Sequence, residues 1–323
     1  MSVSNGLYSV VSSPFKTFYL VRTVKNRVLL GCLCALGCET LFGLSYVFTR
    51  QVTADVSMLS LLGWRFCVAA LVMGLCVLMG VLDVRLSGKP KAPLIGVALF
   101  SPVAYFICET AGISYTSASE SGVFLSCIPV ASLTASALIL RKKPSRRQML
   151  GIAVTVLGVA LTVLSVGVSA SVSVTGYVFL LLAVLSYALY SVFVEKACEY
   201  SGAELTFVMM LFGAAAFVPM ALVEAGIEGH VAELLCLPFC DAGFLGTVIY
   251  LGIGCSVLAF FLSNVAIASI GVNRSASFIG VSTVVSVLAG VFFLGEAFTF
   301  WQAAGTAVIL TGVTIANTER AAS

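Results

Sequence analysis

Runs of about 20 mostly apolar residues recur along this chain, at 28–49, 58–80, 93–112, 118–140, 149–167, 176–194, 205–223, 243–263, 273–294 and 301–317. Each is long enough to cross the hydrocarbon core of a bilayer as a helix. Lipid offers no partner to a backbone amide, so a crossing segment must satisfy its own hydrogen bonds as a helix or within a closed barrel. The runs show no alternation of apolar and polar residues, which argues against a barrel. Hydrophobic residues make up 60% of the chain and charged residues 10%, against about 25% charge in soluble domains. The expected fold is an all-α integral membrane protein with ten transmembrane helices.

Orientation follows from the cations, which concentrate on the cytoplasmic side of membrane proteins. With the amino terminus inside, the inner segments hold Lys16, Arg22, Lys25 and Arg27, then Arg85, Lys89 and Lys91, then "RKKPSRR" at 141–147, Lys196, Arg274 and Arg320. The outer connections hold Arg50 and the acidic stretch 224–242, with Glu224, Glu228, Glu233 and Asp241. Both termini are therefore expected in the cytoplasm of a multi-pass plasma-membrane protein. The first 27 residues read as an uncleaved basic arm, since no short apolar core leads to a small-residue cleavage site. The single histidine, His230, excludes a histidine metal cluster, and no cofactor is expected. Cysteines inside the apolar runs read as small packing residues. Cys236 and Cys240 flank Pro238 in the polar connection, and the spacing leaves a disulfide between them open.

The chain also repeats itself. "QMLGIAVTVLGVAL" starts at Gln148 and "QAAGTAVILTGVTI" at Gln302, with Gly151 matching Gly305 and Gly158 matching Gly312. Five helices per copy is an odd number, so the second copy must enter the membrane the other way up. The charges agree, because "RKKPSRRQ" precedes the first copy and the cation-free "GEAFTFWQ" precedes the second. The expected divisions are a basic arm at 1–27, a first repeat at 28–167, an outer linker at 168–175, a second repeat at 176–317 and a tail at 318–323. Inverted repeats underlie many secondary transporters, in which the two halves exchange conformations around a site near the midplane. The glycine rows recur every seven residues on one face and predict close packing of the fifth and tenth helices, within one molecule or across a dimer.

"WRF" at 64–66, "GISYTSASESGVFLSCIPV" at 112–130 and "LGEAFTFWQAAGTAVILTGV" at 294–313 together resemble the drug/metabolite transporter (DMT) superfamily, in its EamA-type permease branch. Both EamA repeats fit, over nearly the whole chain after about residue 28. The chain departs from the family pattern at Arg141-Lys142, where Gly-Glu is common, and at Phe42-Gly43, where Trp-Gly is common. The resemblance implies alternating access around a central cavity lined by helices one, three, four, six, eight and nine. It also implies a small metabolite, amino acid or drug as substrate, usually moved outward.

A charge at bilayer depth costs a few kcal/mol or more unless it faces water or a partner, so charges there are the first candidates for function. Glu39 lies about 16 Å along the first helix, near the midplane, at 1.5 Å rise per residue. It is a candidate for binding a cationic group or carrying a proton, against a plain structural hydrogen-bonding role. Phe42, Tyr46, Tyr105, Tyr187 and Tyr190 are candidates for stacking on substrate, against ordinary packing, and Asn264 for a ligand or a cap. Arg65 and Glu109 are read first as a structural ion pair near the outer end, with Glu109 also a substrate candidate. "SASE" at 117–120 fits a Ser-x-x-Glu capping box, which would use Glu120 to start a helix. The repeat offset carries Glu120 onto Arg274, which makes that pair candidate gating charges.

No Walker A pattern occurs, so ATP coupling within the chain is not expected. The expected function is a secondary transporter, not an enzyme, with a small-molecule substrate, a surrounding bilayer, possible coupling to protons and no nucleic acid, as a monomer or homodimer. The alternatives are a channel-like facilitator and a membrane enzyme. Saturable counterflow distinguishes a carrier from a channel.

Overall fold

The computed structural model describes residues 24–116, 121, 125, 127–164, 173–294 and 300–317. Among the described residues there is no strand, and the chain is a succession of helices. In order these are α1 (Val24–Val52), α2 (Met58–Leu78), α3 (Lys91–Ala98), α4 (Tyr105–Tyr115), α5 (Ile128–Ile139), α6 (Arg146–Leu164), α7 (Val174–Lys196), α8 (Gly202–Glu228), α9 (Val231–Cys240), α10 (Ala242–Ile249), α11 (Phe260–Ile270), α12 (Val272–Ala276), α13 (Ile279–Leu294) and α14 (Phe300–Asn317).

Among the described residues, seven stretches are long and apolar enough to cross a membrane: 27–52, 58–78, 91–115, 174–196, 202–228, 242–270 and 272–293. The other three sequence-predicted spans fall on α5, α6 and α14, each of which abuts residues outside the described set. The connection at 224–242, read from sequence as an acidic loop, is largely helical. α8 runs on to Glu228 and α9 follows, with Cys236 and Cys240 as two free, exposed thiols one turn apart.

The helix ends follow from local chemistry. Orphan amides at a helix start need an acceptor. Ser57 accepts from Ser60 N at 3.0 Å, Ser173 from Gly176 N at 3.2 Å and Asp241 from Gly243 N at 2.8 Å. At α8, Ser201 and Glu204 cap each other's amides in a full capping box. That helix stops at Gly229, whose left-handed φ of 78° suits a residue without Cβ.

Two crossings are interrupted in the middle. Between α3 and α4 the residues Leu99–Ala104 form wider π-type turns, with Ser101 extended (φ −147°, ψ 118°) just before Pro102. Between α10 and α11 the residues Tyr250–Ala259 do the same. The 154-residue offset from Gln148 to Gln302 brings Ser101 onto Cys255, inside the second interruption. Pro129 occupies the first turn of α5, where a missing N–H costs nothing.

The two repeats interlock. α1 packs on α11 and α13, α2 on α8, and α4 on α7. α6 and α14 pack on each other within the single chain, along the glycine rows. A Cβ on Gly151 would stand 2.5 Å from Ala316 N, and one on Gly158 would stand 2.7 Å from Ile309 N. Only hydrogen fits there, which answers the choice between monomer and dimer for this seam. Large side chains such as Leu71, Leu75, Phe292 and Phe300 are exposed on the outside, as expected for helices that face lipid.

Candidate functional site

Helices of both repeats converge on a buried cluster of polar and aromatic side chains. From α1 come Glu39, Phe42 and Tyr46; from α2, Arg65; from α4, Tyr105 and Glu109. From α7 come Tyr187 and Tyr190, and from α11 and the turns before it, Ser256, Phe260, Ser263 and Asn264. The four tyrosines, the two glutamates and Arg65 are all buried.

The aromatic rings of the cluster form a continuous set. Phe42 meets Phe260 edge-on at 5.2 Å between centroids, and Phe260 meets Phe106 at 5.7 Å. Tyr105 meets Tyr187 at 5.5 Å and Tyr187 meets Tyr190 at 5.3 Å. Edge-to-face pairs of this kind fix ring orientation beyond simple burial. Rings contributed by both repeats therefore hold one another in place.

Glu39 lies midway along α1, with Ser282 of α13 beside it. Ser282 also lies near Tyr46, and its hydroxyl donates to Ile279 O of its own helix at 2.7 Å. Glu109 accepts a 2.6 Å hydrogen bond from the Tyr105 hydroxyl, one helical turn back.

Arg65 does not form the expected contact pair with Glu109. Among the described residues no N···O approach between them falls within 4.0 Å. Its Nε donates instead to Ser256 Oγ at 2.8 Å, and its guanidinium lies 4.2 Å from the centroid of Phe106. The hydroxyl and the ring hold the stem and plane of the side chain in place.

Asn264 is not an end cap. It lies within α11, accepts from Tyr190 OH at 2.8 Å and donates to Thr206 Oγ1 at 3.0 Å. It clasps α7, α8 and α11 together. The Tyr187 and Ser263 hydroxyls stand 3.4 Å apart beside it. Arg274 is partly buried on α12. Glu120 and the capping box proposed for 117–120 lie outside the described residues.

Sequence reasoning missed Ser256, Ser263, Thr206 and Ser282. A serine in an apolar run is a weak signal, since it can bond its own helix four residues back. It also missed two charged ties at the basic end. Lys89 Nζ reaches Glu204 Oε2 at 2.7 Å, and the same carboxylate accepts from Arg85 N at 2.9 Å. Glu195 pairs with Lys142 and accepts from Val272 N at 3.1 Å.

The EamA-like transporter family profile matches residues 29–164 and again 174–318. An uncharacterized transporter of Bacillus subtilis, YcxC, is 29% identical over 91% of this chain and 95% of its own length. An uncharacterized transporter of Archaeoglobus fulgidus is 22% identical over 87% of this chain and 96% of its own. A crystal structure 16% identical in sequence shares the fold, with a TM-score of 0.68 over 90% of this chain and 96% of that one. The doubled match covers the two halves whose helices build the buried cluster, and the chain belongs to the EamA-like transporter family.

Proposed function

We propose that this protein is a secondary transporter that moves a small organic solute out of the cell by alternating access. Ten crossings, with both termini in the cytoplasm, fit the distribution of Lys and Arg. The observation that carries the reading is the buried polar and aromatic cluster, built from Tyr46, Tyr105 and Glu109 of the first repeat and from Tyr187, Tyr190 and Phe260 of the second. A site built from both repeats changes its access when they move against each other. The ties Lys89–Glu204 and Lys142–Glu195 join the repeats at the basic end, so opening toward that side requires their release.

Glu39 is proposed as the proton-coupling residue, since it is a buried carboxylate at the middle of a crossing helix. The test is flux in proteoliposomes. Saturable counterflow of a solute is expected, with a pH gradient driving net movement in the wild type but not in Glu39→Gln, while counterflow persists in the variant. Current that rises in proportion to voltage without saturation would support a channel instead.

A further inference from the structure

The surface of α9 divides into three sectors. At about 100° per residue, Val231, Leu234, Leu237 and Pro238 fall on one side, and this side faces the protein. Val231 and Leu234 pack with Ala221 and Ala225 of α8 and with Leu59 and Trp64 of α2, while Leu237 packs with Leu61 and Phe244. Pro238 has no N–H to give Leu234 O, and Trp64 Nε1 donates to that carbonyl instead at 2.9 Å. Next round the helix come Ala232, Leu235 and Phe239, all exposed. Leu235 is 51% exposed and Phe239 85%. The remaining sector holds Glu233, Cys236 and Cys240, also exposed.

A helix with an apolar sector set between a protein-facing one and a polar one belongs where protein, lipid and water meet. The level of α9 agrees. It packs against the first two turns of α2 and the last two turns of α8, so it lies at one end of the crossing helices, opposite the Lys89–Glu204 tie. At the same level α8 also leaves Val223 and Ile227 exposed, which extends the lipid-facing surface of that helix to its end. A second copy is a poor occupant, because three side chains fall well short of the about 800 Å² per partner that a stable protein interface covers. Attraction to anionic head groups is not what holds α9 either. It carries no Lys or Arg, and His230 at its start is paired with Glu233 at 3.1 Å. We infer that α9 is an in-plane membrane anchor, with Ala232, Leu235 and Phe239 seated among lipid at the head-group boundary and Glu233, Cys236 and Cys240 in water. Through Trp64 it fastens this lipid-seated connection of the second repeat to a helix of the first.

The anchor requires a bilayer but not the transport reading, and its test involves no flux. The full chain is reconstituted in phosphatidylcholine vesicles and treated with a charged, membrane-impermeant thiol reagent, each site being read by peptide mass spectrometry. A thiol reacts as its thiolate, which an apolar environment disfavours. Native Cys236 and Cys240 are expected to label about 10-fold faster than Leu235→Cys or Phe239→Cys, each placed in a Cys236→Ser/Cys240→Ser background. Should Phe239→Cys fail to fold, Leu235→Cys reads the same sector. In a second measurement, phosphatidylcholine brominated near the top of its acyl chains is expected to quench Phe239→Trp beyond the two native tryptophans, Trp64 and Trp301, and Glu233→Trp not at all beyond them. Equal labelling of the two sectors overturns the anchor, since both would then lie in water. Slow labelling of the apolar sector without quenching by the brominated lipid overturns it in favour of a second copy on that face. Equal quenching of Glu233→Trp and Phe239→Trp overturns the division into a lipid sector and a water sector.

Discussion

Lys89 and Glu204 meet across the two repeats, Nζ to Oε2 at 2.7 Å, with Glu204 almost wholly buried and Lys89 partly so. The same carboxylate completes the Ser201 capping box and accepts from Arg85 N. Three structural tasks converge on one side chain. Glu204→Ala is expected to lower unfolding free energy by about 2–3 kcal/mol. Glu204→Gln keeps an acceptor for the amides and should cost about 1 kcal/mol. Thermal unfolding in detergent, followed by thiol exposure, measures both. Equal losses would show that the ion pair, not the cap, dominates.

The α6–α14 seam should be intolerant of size. Gly151→Val forces a side chain against the backbone of Ala316 and Gly312 and is expected to cost at least about 2 kcal/mol. Gly74, on α2, has nothing within 4 Å of a built Cβ. Gly74→Ala should be neutral or stabilising by about 0.5–1 kcal/mol, because alanine favours the helix. Unfolding midpoints of the two variants side by side check the contrast.

Tyr190→Phe removes the donor that serves Asn264 Oδ1 and leaves a buried acceptor unmatched. A loss of about 1–3 kcal/mol is expected. Because both polar ends of the Asn264 amide are already used to tie α7, α8 and α11 together, the variant should change stability more than solute affinity. A thermal scan together with a binding isotherm tests this, and an affinity loss without destabilisation would return Asn264 to the list of ligands.

Glu195 serves Lys142 and the Val272 amide at once. Lys142 is largely exposed, and an exposed pair contributes only about 0–1 kcal/mol. Lys142→Ala should therefore be mild, while Glu195→Ala also leaves the first amide of α12 without its acceptor. An added loss of about 1 kcal/mol is expected for Glu195→Ala over Lys142→Ala, read from denaturant or thermal unfolding of the two proteins.

Much of the architecture was legible because bilayer length imposes itself on sequence. The apolar runs located α1, α2, α7 and α8, and the matched glycines located the α6–α14 seam. The position of Glu39 midway along α1 followed from counting along one helix. Less could be read where partners lie far apart in the chain. Arg65 chooses Ser256, 191 residues away, and a lone serine among apolar residues does not announce itself. The helix α9 was hidden because Glu233 and Pro238 made its stretch look like a loop. Ser201-Gly-Ala-Glu204 carries the same Ser-x-x-Glu signature recognised at 117–120. It was readable in principle, but its second partner, Lys89, was not.

The wide turns at Tyr250–Ala259 act as a phase setter. A regular helix rotates about 100° per residue, whereas a π-type turn absorbs an extra residue without that rotation. Deleting one residue there would swing Ser263 and Asn264 around the axis of α11, away from Tyr190 and Thr206. The equivalent deletion within Leu99–Ala104 would swing Glu109 away from Arg65. Both interruptions therefore work like keyed couplings in a drive shaft. They fix the angle at which each half presents its polar groups, and a scan of chain length would expose this dependence where single substitutions would not.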